Sequence, residues 1–185
     1  WGVAIGIITD GNLYYGKSGY SGEFGHSNVF DNDILCQCGK MGCLETEISG
    51  WALVNQFKEA IKEGKQSTIV LDEHATSLQH HAIIMGALQQ EDTLCVELIS
   101  KQSEKMGRYL SMILNIFNPE LLVVGGDFSL LGGYVRLPIQ SALKKYSLGV
   151  VNRDVKLKKS SLGARAGVIG ACCVVKEKML AAIVN

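Results

Sequence analysis

Three cysteines within eight positions, Cys36, Cys38 and Cys43, preceded by His26 ten residues upstream of the first, constrain this chain more than any other feature. One imidazole and three thiolates make a four-donor soft set that suits tetrahedral Zn²⁺. One residue separates Cys36 from Cys38, and Gly39 and Gly42 allow the backbone to wrap back so that Cys43 closes the site. Four protein ligands leave no open position, so the expected ion is structural rather than a Lewis-acid catalyst. The surrounding segment, residues 16–41, is rich in Gly, Ser, Asn and Asp and has no sustained period. A loop of that length is functional or is pinned by something. Metal binding would supply the free energy that orders it.

Two carboxylates flank this set, Glu23 three residues before His26 and Glu45 two after Cys43. An ion that fixes both ends of the loop fixes both acids as well. Carboxylates held beside a rigid imidazole are good acceptors for vicinal sugar hydroxyls, and His26 has a second ring nitrogen to offer. The spacing leaves open a plainer role, as partners of the cage or as solvated charges.

The other three cysteines, Cys95, Cys172 and Cys173, sit in apolar patterns and read as small buried hydrophobes. With 47% hydrophobic and 19% charged residues the chain can build an ordinary core and is not disordered. It therefore does not need a disulfide framework, and a reduced, cytoplasmic chain is expected. Eighteen basic and eighteen acidic residues cancel, which gives no global electrostatic case for nucleic acid or an anionic membrane. The longest apolar stretch falls well short of the ~20 residues a spanning helix needs. The chain begins with Trp1 rather than Met, so a preceding segment is expected.

Along the chain, residues 1–8 read as a strand joined through Asp10-Gly11 to residues 13–15 in a hairpin. Helices are expected over 48–63, stopped by Gly64, over 78–88, and over a long run N-capped by Asp92 that ends at Asn118-Pro119. Leu121 to Val124, closed by Gly125-Gly126, reads as a buried strand. A helix over 137–146 with Pro138 in its first turn, a strand over 155–162 and a closing helix over 164–184 follow. Gly167 and Gly170 would let that last helix approach a sheet closely. Trp1 and Trp51 read as core, the adjacent His80 and His81 as packing or surface residues rather than a joint metal site, and the order of elements as α/β.

The segments GEFGH at 22–26 and CQCGKMGCLE at 36–45 resemble the paired signature of the ROK family of repressors, open reading frames and kinases. GNLYYGKSGYSGEFGH at 11–26 and NPELLVVGG at 118–126 are similar to the family as well. The resemblance runs over essentially the whole chain but corresponds to the second half of a family member. It implies an α/β fold, one lobe of the actin-like ATPase (ribonuclease H-like, sugar-kinase) fold, with a zinc-stabilised loop at about 16–45. Residues 1–185 would form the C-terminal lobe, with the N-terminal lobe and any DNA-binding domain outside this chain. The resemblance places zinc on His26, Cys36, Cys38 and Cys43, and sugar hydroxyls on Glu23, His26 and Glu45. It also implies a homo-oligomer.

Family kinases carry a Gly-Thr-Gly-x-Gly phosphate loop where this chain has Gly2-Val3-Ala4-Ile5-Gly6. Val3 has no hydroxyl, and Ala4 brings a methyl where a glycine would let phosphate approach. At the second nucleotide-side turn, Gly125-Gly126, Asp127 sets a negative charge where a polyanion would lie. Gly2, Gly6, Gly125 and Gly126 thus read as vestigial nucleotide loops, while the sugar elements are intact. That combination resembles the family's transcriptional repressors, which sense a sugar or sugar phosphate and contact DNA through a separate N-terminal domain. The alternative is the C-terminal lobe of an ATP-dependent sugar kinase, whose catalytic aspartate would lie in the other half.

Overall fold

The computed structural model describes residues 1–184. The chain divides into two compact units, residues 1–106 and 107–185, with the division falling inside one long helix.

The first unit opens with a short hairpin, β1 (Ile8–Thr9) paired antiparallel with β2 (Asn12–Leu13). Asp10 and Gly11 both take positive φ, 53° and 78°, which is the Asp-Gly turn expected from the sequence. Residues 1–7 belong to no strand, although the Tyr14 N–H donates to the Ile7 carbonyl at 2.8 Å and carries the hairpin pairing one step further. Their backbone is held by loops instead, with the Ile5 N–H donating to the Gly22 carbonyl at 3.0 Å and the Gly50 N–H donating to that of Trp1 at 3.1 Å. Trp1 is 48% exposed rather than core, with His81 edge-on at 5.5 Å between ring centroids and Gly50 against its ring.

Four helices follow: α1 (Glu45–Ile48), α2 (Gly50–Lys62), α3 (Ser77–Gln89) and α4 (Thr93–Phe117). Local chemistry sets their ends. The Ser49 side chain accepts from the Ala52 N–H at 3.1 Å, and Gly64, at φ +87°, closes α2. Thr76 and Gln79 form a reciprocal capping box at the start of α3. Asp92 accepts from the Cys95 N–H at 2.9 Å, as its N-cap reading requires. Leu44, Ile48, Leu53, Phe57, Ile84, Leu88 and Ile99 form a fully buried core. Each such side chain contributes about 2 kcal/mol by leaving water. His80 and His81 are both buried and serve separate contacts, His80 to the Asp72 carbonyl through Nε2 at 2.7 Å and His81 to Trp1. Cys95 is fully buried, and burial pushes its thiol up to about 12.

The second unit is a strand–helix–strand–helix arrangement. β3 (Leu121–Val124) pairs in parallel with β4 (Lys156–Lys159), in register Leu121↔Lys156 to Val124↔Lys159. α5 (Gly133–Tyr146) and α6 (Gly149–Asp154) connect them, and α7 (Ala166–Val184) ends the chain. Leu110, Leu114, Leu131, Val135, Ile139 and Leu143 are buried here. A Cβ on Gly107 would lie 2.8 Å from the Ile139 carbonyl, so that glycine lets α4 and α5 touch.

Several expectations fail in this unit. β3 is not a buried strand: Leu121 and Val123 are 46% and 51% exposed, because it has one partner strand and an open face among the described residues. α5 starts four residues earlier than expected, so Pro138 sits in its second turn and removes one ladder hydrogen bond. Gly167 and Gly170 meet open space, not a sheet, and Cys172 and Cys173 are exposed rather than buried, on a helix that also leaves Val168, Val175, Met179 and Leu180 exposed. Among the described residues no helix is long and apolar enough to cross a membrane.

Candidate metal centre and neighbouring carboxylates

Residues 22–45 form a closed loop stitched by its own backbone. The Leu44 N–H donates to the Ser27 carbonyl, the Val29 and Phe30 N–H groups to that of Gly42, and the Cys36 N–H to that of Lys40. The turns need glycine: Gly42 has φ +72°, and a Cβ there would lie 2.0 Å from the Phe30 carbonyl oxygen. This stitching brings the ligating atoms of His26, Cys36, Cys38 and Cys43 within 4.8 Å of one another. The Cys36 Sγ to His26 Nδ1 distance is 3.5 Å and the Cys38 Sγ to Cys43 Sγ distance is 3.6 Å. Ordinary Zn–S and Zn–N bonds of about 2.3 and 2.0 Å imply tetrahedral edges of about 3.8 Å between sulfurs and about 3.5 Å from sulfur to nitrogen. Those two distances match the edges of a tetrahedral site, the full set, spread to 4.8 Å, needs only a small contraction to close on an ion, and no two of the sulfurs form a disulfide. Burial pushes the Cys43 thiol up to about 12, whereas the Lys40 backbone N–H lowers that of Cys38. A bound cation would override both by taking the thiolate form.

With Nδ1 of His26 turned toward the sulfurs, Nε2 faces the Glu23 carboxylate at 3.6 Å. That gap exceeds a direct hydrogen bond but suits a shared hydroxyl or water. Glu45 is the first residue of α1 and is buried, and its Oε2 accepts from the Val3 N–H at 2.9 Å. Its Oε1 meets no hydrogen-bond donor among the described residues. A Cβ on Gly2 would approach Oε2 to 2.7 Å, and Cβ atoms on Gly22 and Gly25 would strike the carbonyls of Ile5 and Val3 at 1.9 and 2.2 Å. The first five residues thus lie against both the Gly22–His26 turn and Glu45. Glycines at 2, 22 and 25 were the legible signal for this contact, which the sequence analysis did not draw. Gly6 meets nothing within 4 Å.

A second cluster lies under the loop and was missed. Glu47, two residues past Glu45, accepts from Asn32 at 2.8 Å, from Lys105 at 2.6 Å and from Gln56 at 3.3 Å. Asn32 belongs to the Asp31-Asn32-Asp33 run in the loop. Nothing local in the sequence ties it to a lysine on α4. In the second unit, Gly125 and Gly126 follow β3, and Gly126 takes φ 69° and ψ −167°, a conformation open to glycine. Asp127 then begins a 3₁₀ turn through Leu131.

Comparison with known proteins accounts for this arrangement. The chain matches the ROK family over residues 1–178. It is 31% identical over 179 residues to a xylose repressor of Caldicellulosiruptor bescii, covering 97% of this chain and 45% of that protein. It is also 31% identical over 178 residues to a glucokinase of Halalkalibacterium halodurans, covering 96% of this chain and 54% of that one. A solved ROK glucokinase from Streptomyces griseus, in complex with glucose and AMPPNP, superimposes with a TM-score of 0.79 at 30% identity, over 94% of this chain and 57% of its own. The chain spans about half the length of the curated relatives it matches. Its α/β architecture is that of the actin-like, sugar-kinase group, and the chain belongs to the ROK family.

Proposed function

We propose that residues 1–185 are the C-terminal, sugar-facing lobe of a ROK transcriptional regulator, with a structural zinc ion on His26, Cys36, Cys38 and Cys43. The observation that carries the sugar reading is the Glu45 carboxylate, held beside a four-donor cage by the Val3 N–H on Oε2 and with Oε1 left open to solvent. A carboxylate oxygen that is fixed in place yet open to solvent is free to accept from an incoming hydroxyl without giving up a protein partner. Glu45 would accept one hydroxyl of a monosaccharide or sugar phosphate, and the 3.6 Å gap between Glu23 and His26 would take another. The ion's part is to fix the loop and polarise the imidazole. DNA contacts are assigned to a domain outside these residues, and a homo-oligomer belongs to the same reading.

Relatives at equal identity are a repressor and a glucokinase, so the choice between them rests on the nucleotide-side residues. Val3 and Ala4, without a hydroxyl or a second glycine, and Asp127, with a negative charge, would each weaken phosphate binding. The kinase reading would survive in their place if a longer protein containing this chain phosphorylated a sugar with ATP. Calorimetry with D-glucose and D-xylose tests the site directly. Glu45→Gln should abolish sugar binding with the metal retained, and unchanged affinity would remove Glu45 from the site.

A further inference from the structure

We propose that Glu47 is a positioning residue that aims Glu45, by anchoring the downstream end of α1 as the metal cage anchors the upstream end. The inference rests on the reading of Glu45 as the sugar-binding carboxylate. α1 has four residues, a single turn, and one turn of helix does not hold itself in water. Its direction must come from what grips its ends. At the upstream end Cys43 enters the cage, and the Thr46 hydroxyl donates to the Cys43 carbonyl at 2.7 Å. At the other end stands Glu47, one helical turn from Cys43.

The grip on Glu47 comes from three separate segments. Asn32 Nδ2 in the loop donates to Oε1 at 2.8 Å. Lys105 Nζ on α4 donates to Oε2 at 2.6 Å and lies 5.7 Å from the centre of the Phe30 ring. Gln56 Nε2 on α2 donates to the Glu47 main-chain carbonyl at 3.1 Å and to Oε2 at 3.3 Å. Gln56 is itself oriented by Gln102 Nε2 at 3.0 Å, and Gln102 is completely buried. The Glu47 side chain is only 16% exposed, which shields its bonds from Asn32 and Gln56, while Lys105, 40% exposed, adds an ion pair that solvent partly screens. Asn32 also reaches the Thr46 hydroxyl at 3.4 Å, so the same side chain holds two consecutive residues of α1. Glu45 is then suspended between a metal and a salt-bridged carboxylate, and neither anchor alone sets its direction.

The Val3 N–H, which donates to Glu45 Oε2 at 2.9 Å, reports that direction without any sugar present. In the full chain, Glu47→Ala should keep its metal complement and a single cooperative melting transition, at a lower temperature, while the Val3 amide exchanges about tenfold faster than the loss of global stability accounts for and affinity for D-glucose or D-xylose falls about tenfold. Glu47→Gln, which still accepts from Asn32, should recover part of both. Should Glu47→Ala fail to fold, Lys105→Met and Asn32→Ala carry the test, with smaller changes in the same direction. Unchanged Val3 exchange in a folded, metal-loaded variant overturns the proposal. So does faster exchange that appears only together with metal loss or global unfolding, since Glu47 would then serve stability alone. Absence of sugar binding by the unaltered chain would refute the sugar reading, and the Val3 amide would still decide whether Glu47 orients Glu45.

Discussion

Gly42 and Asp92 show two ways in which one residue can hold a long loop. Gly42 combines φ +72° with a main-chain neighbour 2.0 Å from where its Cβ would stand. Neither the backbone nor the Phe30 carbonyl can give way cheaply, so Gly42→Ala should cost more than about 2 kcal/mol in thermal denaturation and reduce metal occupancy. Asp92 is 3% exposed and works through charge. Burial pushes its carboxyl up, but the Thr68 and Cys95 amides and the Thr68 and Ser67 hydroxyls outweigh burial and hold it well below the usual carboxylate range. A folded pKa below the unfolded value means stability that is fully present above about pH 4 and is lost as pH falls below it. Asp92→Asn should therefore lower the melting temperature at pH 7 and flatten its decline below pH 4. An unaltered acid limb would show that another carboxylate controls it.

At the scale of elements, the helices were legible where their ends carry local chemistry. Ser49, Thr76 and Asp92 cap three of them, and Gly64 ends one. Thr76→Ala should destabilise the chain by about 1 kcal/mol, read as a lower urea midpoint with an unchanged slope. Strands were less legible. An apolar run such as residues 1–7 or Leu121–Val124 states a preference for extended backbone, but pairing needs a partner from elsewhere in the chain. Trp1 and Ile5 found loop amides and carbonyls instead, and β3 found one neighbour. α7 shows the same limit. Its glycines and cysteines look like packing residues in sequence, yet they point into open space.

For the molecule as a whole, the proposed metal and the core would act in the first unit by different routes. Phe57 is 1% exposed, and Phe57→Ala should cost about 3–5 kcal/mol through lost contacts and a cavity. Chelation removes no apolar contact. It should instead free the loop, so that the Val29 and Phe30 amides exchange faster and protease cuts between residues 27 and 43. The Lys156 and Ser160 amides, bonded to the Glu120 and Val124 carbonyls in the second unit, should keep their protection. Cys43→Ser should reproduce the effect of chelation, and an unchanged digestion pattern would contradict a folding role for the ion.

The sequence by itself determined the four clustered donors that could hold a metal, the Asp92 cap and the Gly64 stop, the Asp-Gly hairpin turn and the family. All of these are written in short spacings, where residue identity and local backbone geometry suffice. The tertiary structure alone decided which of the flanking acids is buried, that the first residues lie against Glu45, and that Lys105 meets Glu47 across 58 positions of chain. It also decided that Trp1, Cys172 and Cys173 stay exposed. Burial and long-range polar pairing depend on which surfaces the fold brings together, and no local pattern of side chains records that.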